Sequence, residues 1–298
     1  MRGFASCGNQ STKPAKRTFY HACMTARVRV IFKLAGMAVL SLSVLSAFQL
    51  PFREYRGMEY SDFPLPPDAA KPAEFVFARL MYPPHPQGMF GFRGGDWRHG
   101  ITSWTNDYPR ADRHFTAAVR RLSRVDIRSV EQPVNPDDDD DIFNWPFLYE
   151  EGGAMNLTDA QVVKLRDYLK RGGFLILDDA WGTRQQALFE QELQQIMPGY
   201  QTAEIANNDP VFHDVFDLDN RGPIPGQWSR YGRMYMNDGY EPHWRGLYDD
   251  KNRLMVALWL NVDTGDSWEW ADDPSYPERY SALGMRIGVN HVVYAMTH

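Results

Sequence analysis

Cysteine is almost missing from this 298-residue chain: Cys7 and Cys23 are the only two, and both precede a hydrophobic run at residues 34–50. The body that follows therefore has no thiol nucleophile, no disulfide and no thiolate metal site. A thiol-free body suits an oxidising compartment, where there is nothing to cross-link. The sequence also lacks Gly-x-Ser-x-Gly, the phosphate loop Gly-x-x-x-x-Gly-Lys and the dinucleotide fingerprint Gly-x-Gly-x-x-Gly, which leaves out the common nucleophile elbow and nucleotide cradles. The body histidines, His85, His99, His114, His213, His243, His291 and His298, show neither His-x-x-x-His nor His-Glu-x-x-His spacing. Neither a metal nor a cofactor is expected from these patterns. Gly265-Asp266-Ser267-Trp268 matches the Gly-Asp-Ser tetrad of one lipase group only superficially, because it follows the last sheet strand and not an early one.

Acidic residues are absent from the first 47 positions, which carry seven Lys/Arg. The whole chain has a net charge of -6, so the remainder, with 25 Lys/Arg against 38 Asp/Glu, stands near -13. A body of that sign repels phosphate backbones, and nucleic acid is not an expected partner. Residues 34–50, LAGMAVLSLSVLSAFQL, are free of charge and preceded by Arg27, Arg29 and Lys33. Basic flank, apolar run and small residues read as a secretory signal or a membrane anchor, placing residues 1–33 in the cytoplasm and the body on the periplasmic side of the inner membrane. A buried core helix is the alternative for this run. Met24 opens an n-region of ordinary length, so residues 1–23 read as an upstream tail or a misassigned start.

With 43% apolar and 14% aromatic residues, the body can bury a sizeable core. Residues 51–73, rich in proline and aspartate, read as a linker, and residues 74–298 as one domain. EFVFARLMY at 74–82 predicts a first strand, and 125–130 and 142–149 a second and third, the latter marked as an edge or bulged strand by Pro146. Phe115, Ala118, Val119 and Leu122 predict the buried stripe of a helix over 108–123, with Arg110, Arg113, Arg120 and Arg121 on its wet side. Thr158-x-x-Gln161 is a capping box, followed by Val162, Val163, Leu165 and Leu169 and a stop at Gly172-Gly173. Residues 174–177 predict a central parallel strand ending at Asp178-Asp179, 183–197 a helix, 200–205 and 254–260 strands, and 280–296 a C-terminal helix. Residues 217–250 read as an insertion, and the aspartate run 137–141 as a solvated loop. Alternating strands and helices predict a doubly wound, mostly parallel α/β sheet.

In such sheets ligands sit beyond the carboxyl ends of the strands. The candidate ligand-binding residues are therefore Tyr149, Asp178, Asp179, Asn261 and Asp263, together with Asp107, Tyr108 and Arg110 at the first helix and His213 in DPVFHDVF. Glu150 and Glu151 occupy the same strand-end position. Clustered carboxylates there serve either as ligand contacts or as general acid and base, whereas Asp178 and Asp179 as caps of the following helix is the plain structural alternative. Aromatic side chains in 83–105 and 228–248 are expected to line the crevice.

DYPRADRHF at 107–115, IFNWPFLY at 142–149, LTDAQVVKLRDYLKRGGFLILDD at 157–179, DPVFHDVF at 209–216 and LWLNVDTGDSWEW at 258–270 together resemble the bacterial domain of unknown function numbered 4159, over about residues 74–298. The resemblance implies a flavodoxin-like sheet of the class I glutamine amidotransferase-like kind, usually behind a signal or anchor. It implies no reaction. Where an amidotransferase carries its cysteine, after the third strand, this chain has Glu150, Glu151 and Gly152; without a thiolate, glutamine hydrolysis has no nucleophile. The expectation is a non-catalytic binding or partner-interaction module of the envelope, receiving a small molecule or an envelope protein. The alternative is a hydrolase using Asp178, Asp179 and Asp263, with or without a divalent cation. A scaffold docking on membrane partners through residues 34–50 is a third class.

Overall fold

In the computed structural model, residues 51–60, 63–88 and 95–298 are described. The hydrophobic run at 34–50 lies outside them, and among the described residues no helix is long and apolar enough to cross a membrane.

Seven strands form one sheet: β1 (Ala78–Leu80), β2 (Gln132–Val134), β3 (Phe147–Glu150), β4 (Phe174–Ala180), β5 (Ala203–Glu204), β6 (His243–Tyr248) and β7 (Leu254–Leu260). Their order is β2-β1-β3-β4-β7-β6-β5. The first five in that order run parallel, and β6 and β5 add an antiparallel edge. Among the described residues five α-helices accompany it: α1 (Arg110–Leu122), α2 (Asp159–Lys170), α3 (Gly182–Ile196), α4 (Thr264–Glu269) and α5 (Glu278–Thr297).

Alternation along the central strands sorts the core into two layers. On β4, Leu175 and Leu177 face Leu165 and Leu169 of α2 and Phe189 and Leu193 of α3. Phe174 and Ile176 face the opposite layer, with Phe115 of α1, Trp268 of α4 and Val289 of α5. A strand buried on both faces must be apolar at every position, as Phe174 to Leu177 are, until its tip reaches Asp178 and Asp179. The Thr158–Gln161 capping box is present at the start of α2, and Gly172 turns out of its end at φ 107°.

Several expectations are corrected. The second strand is at Gln132–Val134 and not 125–130, where only Ile127 makes an isolated bridge to Phe75. Pro133 is tolerated because β2 is the sheet edge. Pro146 marks no edge: Asp141–Asn144 is a 3-10 turn, β3 starts after the proline, and the strand lies inside the sheet between β1 and β4. The insertion at 217–250 contains β6, which the sequence conceals behind its Gly- and Tyr-rich surroundings. Leu122 and Val163 are exposed, while Arg113 is buried against Glu131 and Glu54 and not on the wet side. Trp97 and Trp104, expected to line a crevice, are core residues. Residues 51–60 lie along the domain: Met58 N–H donates to the Thr105 carbonyl, and Tyr55 packs edge-on against Trp104.

Candidate functional site

β1 is followed by β2 on one side and β3 on the other, so the chain reverses its winding direction at β1. The connections that leave β1 and β3 go to opposite faces of the sheet, with α1 in one core layer and α2 in the other, which makes the carboxyl ends of β1 and β3 the natural crevice. The chain fills this place with acids. Asp107 arrives from the loop before α1, Glu151 from the end of β3, Asp178 and Asp179 from the tip of β4, and Asp263 and Asp266 from the start of α4 after β7; all are buried. Glu269, one turn further along α4, is buried as well.

Among the described residues three interlocking sets of carboxylates emerge, each with one oxygen from every member within 4.8 Å of the others: Asp107, Asp263 and Asp266; Glu151, Asp179 and Asp263; and Glu59, Asp107 and Glu269. Backbone conformation supports the convergence. Asp107 and Asp179 sit in the left-handed region at φ 57° and 62°, where aspartate and asparagine are the side chains that tolerate the strain. At Asp179 the pairing of β4 with β7 also slips, between Leu177 and Ala180.

The acids differ in how far they are already engaged. Asp178 accepts four hydrogen bonds, from the N–H groups of Asp179 (2.9 Å), Thr264 (3.1 Å) and Gly265 (3.2 Å) and from the Tyr149 hydroxyl (2.7 Å). It ties the β4 tip to α4, so the capping role foreseen for it exists but serves a helix 86 residues later and not α3. Tyr149 also contacts Glu151 Oε2. One phenolic hydrogen serves one carboxylate at a time, so the two contacts are made together only when Glu151 or Asp178 holds a proton of its own. Asp179 accepts from Trp181 Nε1 (2.8 Å), Asp263 from Asp266 N–H (2.8 Å), and Asp266 from Trp270 Nε1 (3.0 Å) and Gln227 N–H (2.5 Å). Asp107 differs from these: it is 1% exposed and its Oδ2 has no hydrogen-bond partner, a state it shares with the two oxygens of Glu269.

Burial pushes the carboxyls of Asp107, Glu151, Asp179 and Asp263 well above the usual range, and their mutual repulsion adds to it. Asp178, although richly hydrogen-bonded, is raised by burial to about 7. Arg79 is the cation that acts on Glu151, and it is committed elsewhere. From the middle of β1 it makes a bidentate pair with Asp112 on the first turn of α1 and donates to the carbonyls of Trp104 (3.1 Å) and Asn106 (3.3 Å).

Two glycines leave the cluster its room. A Cβ on Gly265 would stand 2.5 Å from Asp107 Oδ2 and closer still to Glu151 Oε2, and one on Gly226 would stand 2.6 Å from Asp263 Oδ2 and 2.9 Å from Asp266 Oδ2.

Of the sequence-predicted residues, Asp107, Tyr149, Asp178, Asp179 and Asp263 meet here. Four do not. Tyr108, joined to Pro109 by a cis peptide bond, turns its hydroxyl to the Tyr55 N–H and its ring to Trp104. Arg110 pairs with Asp272 and the Tyr60 hydroxyl and lies over Trp270. Asn261 is a clamp, accepting from Gly182 N–H and donating to the Glu241 carbonyl. His213 is engaged by Asp217 and the Asn207 carbonyl, outside the cluster. Sequence reasoning missed Asp266, Glu269, Glu59 and Arg79. Asp263, Asp266 and Glu269 are spaced three apart, which sets them on one face of a helix, and that period was the available signal.

Fold and site together define a mostly parallel α/β domain with a buried acidic cluster at its strand tips. The chain belongs to the family described as Domain of unknown function (DUF4159), whose model matches residues 96–296, so that β1 and Arg79 precede the matched span. No curated protein matches it.

Proposed function

We propose that the protein is a binding module of the cell envelope, on a flavodoxin-like fold of the class I glutamine amidotransferase-like kind, whose strand-tip acids receive a positively charged ligand. The parallel strands in the order β2-β1-β3-β4-β7 support the fold, since with β7 as the fifth strand this is the flavodoxin order. The basic flank and the apolar run at 34–50 support the location. The observation that carries the reading is the charge imbalance: Asp107, Glu151, Asp179, Asp263 and Asp266 are buried together, and the Arg79 guanidinium beside them is already bound to Asp112. Buried like charges without a counter-ion cost stability and are characteristic of sites kept for a ligand.

Neutral isosteres separate a receptor from a structural cluster. Asp107→Asn and Glu151→Gln are expected to raise the melting temperature of the ligand-free protein by a few degrees, because each removes repulsion and leaves the shape intact. If both lower it, the acids are structural and the reading falls. The address is tested separately: a chain without residues 24–50 should shift from the envelope to the cytosol on fractionation, and unchanged location would refute the signal.

A hydrolase using Asp178, Asp179 and Asp263 is the second reading. The hydrogen-bonded series Glu151–Tyr149–Asp178, with Asp178 near neutrality, favours it as an acid–base relay. The four donors that already occupy Asp178 weigh against it, and the binding reading is preferred.

A further inference from the structure

We propose that the strand-tip cluster is a site for a hard divalent cation, calcium foremost, held by Asp107, Glu151, Asp179, Asp263 and Asp266. This deepens the receptor reading and rests on it. Four features carry the inference.

The first is Asp107, whose Oδ2 is buried without a partner and points over bare Gly265 beside Glu151 Oε2. An unpaired buried carboxylate oxygen is costly, and a cation is the partner that removes the cost. The second is that the remaining ligands are oriented from behind. Trp181 holds Asp179, Trp270 and the Gln227 N–H hold Asp266, the Asp266 N–H holds Asp263, and Tyr149 holds Glu151. Outer-shell donors that fix first-shell carboxylates are a regular part of metal sites.

The third feature is donor chemistry. Each set consists of carboxylate oxygens, with no histidine or cysteine among them, which selects calcium, magnesium or manganese over zinc and copper. Calcium takes oxygens at about 2.3–2.6 Å, so opposed ligands stand roughly 4.6–5.2 Å apart, and a set confined within 4.8 Å can close around it with little movement. The fourth is connectivity: the five ligands make up two of the sets, Asp107 with Asp263 and Asp266, and Glu151 with Asp179 and Asp263, which share Asp263, so the site accommodates no more than a pair of ions.

Gly265 gives the sharpest test. It lies inside α4 with ordinary helical backbone, where alanine is a better helix former than glycine, yet an added methyl occupies the space that Asp107 and Glu151 face. The full chain is stripped with a chelator and titrated with calcium, magnesium and manganese, following heat and tryptophan emission, since Trp181 and Trp270 are bonded to ligand carboxylates. Saturable uptake of calcium, at no more than two ions per chain, is expected, with a rise in melting temperature and a change in emission. Gly265→Ala and Asp263→Asn, each checked for native circular dichroism, should lose affinity by at least tenfold; Glu151→Gln takes the place of either that does not fold. Absence of saturable uptake for all three cations, or uptake unchanged in the folded variants, overturns the inference. Should uptake be absent while Asp107→Asn and Glu151→Gln still stabilise the stripped chain, the cation site falls and the receptor reading stands, with an organic cation as its ligand.

Discussion

Replacing Arg79 by methionine is expected to cost about 3–5 kcal/mol, because it strands the Asp112 carboxylate in a site from which water is excluded. Neither partner of the pair has any exposed side-chain surface. Asp112 is pushed up by burial and held down mainly by the Arg79 charge. The same substitution removes the donor for the Trp104 and Asn106 carbonyls, and so loosens the loop that delivers Asp107. Against a total stability of about 5–15 kcal/mol, such a loss leaves the domain marginal, with a fall in melting temperature of about 10 °C or more. Urea or thermal denaturation measures it. The double variant Arg79→Met/Asp112→Leu should recover a large part, since an apolar pair replaces a buried ionic one without an orphaned charge, while the two carbonyls remain unpaired. A single variant that melts within two or three degrees of the parent would show that the pair does not support the fold. Asp112→Asn, which leaves the buried Arg79 guanidinium without its counter-ion, should cost an amount comparable to the single Arg79 variant.

That pair also shows where sequence reading stops. An arginine inside the apolar run EFVFARLMY is visible, but its partner lies 33 residues away and becomes a neighbour only when α1 packs across the sheet. Local signals were legible wherever the physics is local. The capping box of α2, the Gly172 exit, the apolar stretch Phe174 to Leu177 of β4 and the β7 strand each depend on a few adjacent residues, and the structure has them. Strand β6 escaped because it is an edge-side strand with a polar start at His243 and an internal Gly246, so neither alternation nor an apolar run announced it. The site was half legible for the same reason. Strand-end logic found Tyr149, Asp178, Asp179 and Asp263, but it ranks residues by position and not by what they do once folded. It therefore could not tell Asn261, spent on Gly182 and Glu241, from Asp107, left with a bare oxygen. Nor could it separate Asp178, which is satisfied, from Asp266, which joins the cluster through helical spacing from Asp263.

The acidic cluster also makes stability depend on pH in a direction opposite to that of most paired carboxylates. For a carboxyl raised on folding, the native chain keeps a proton that the unfolded chain has released above about pH 4, so stability present at low pH is lost as pH rises through the raised value. Asp178 moves from 3.8 to about 7, which amounts to about 4 kcal/mol surrendered between those limits. Asp107, Glu151, Asp179 and Asp263 shift in the same direction and add to it. His291 opposes them. It is buried with Nδ1 against the Ile287 carbonyl and Nε2 accepting from Trp259, a neutral ring lowered by burial to about 4. Its stability is present above pH 6.5 and is lost on acidification, about 2 kcal/mol by pH 5. Asp178 alone outweighs that between pH 7 and 5, and the other four acids widen the margin. In the presence of chelator the protein is therefore expected to melt highest near pH 5 and to lose several kcal/mol by pH 8. Calcium should restore most of that loss at pH 8 and almost none at pH 5, since protons and the cation compete for the same oxygens. A melting temperature that climbs steadily from pH 5 to pH 8 in chelator would mean that these acids are ionised and neutralised in the native chain, and the charge imbalance at the strand tips would have to be abandoned.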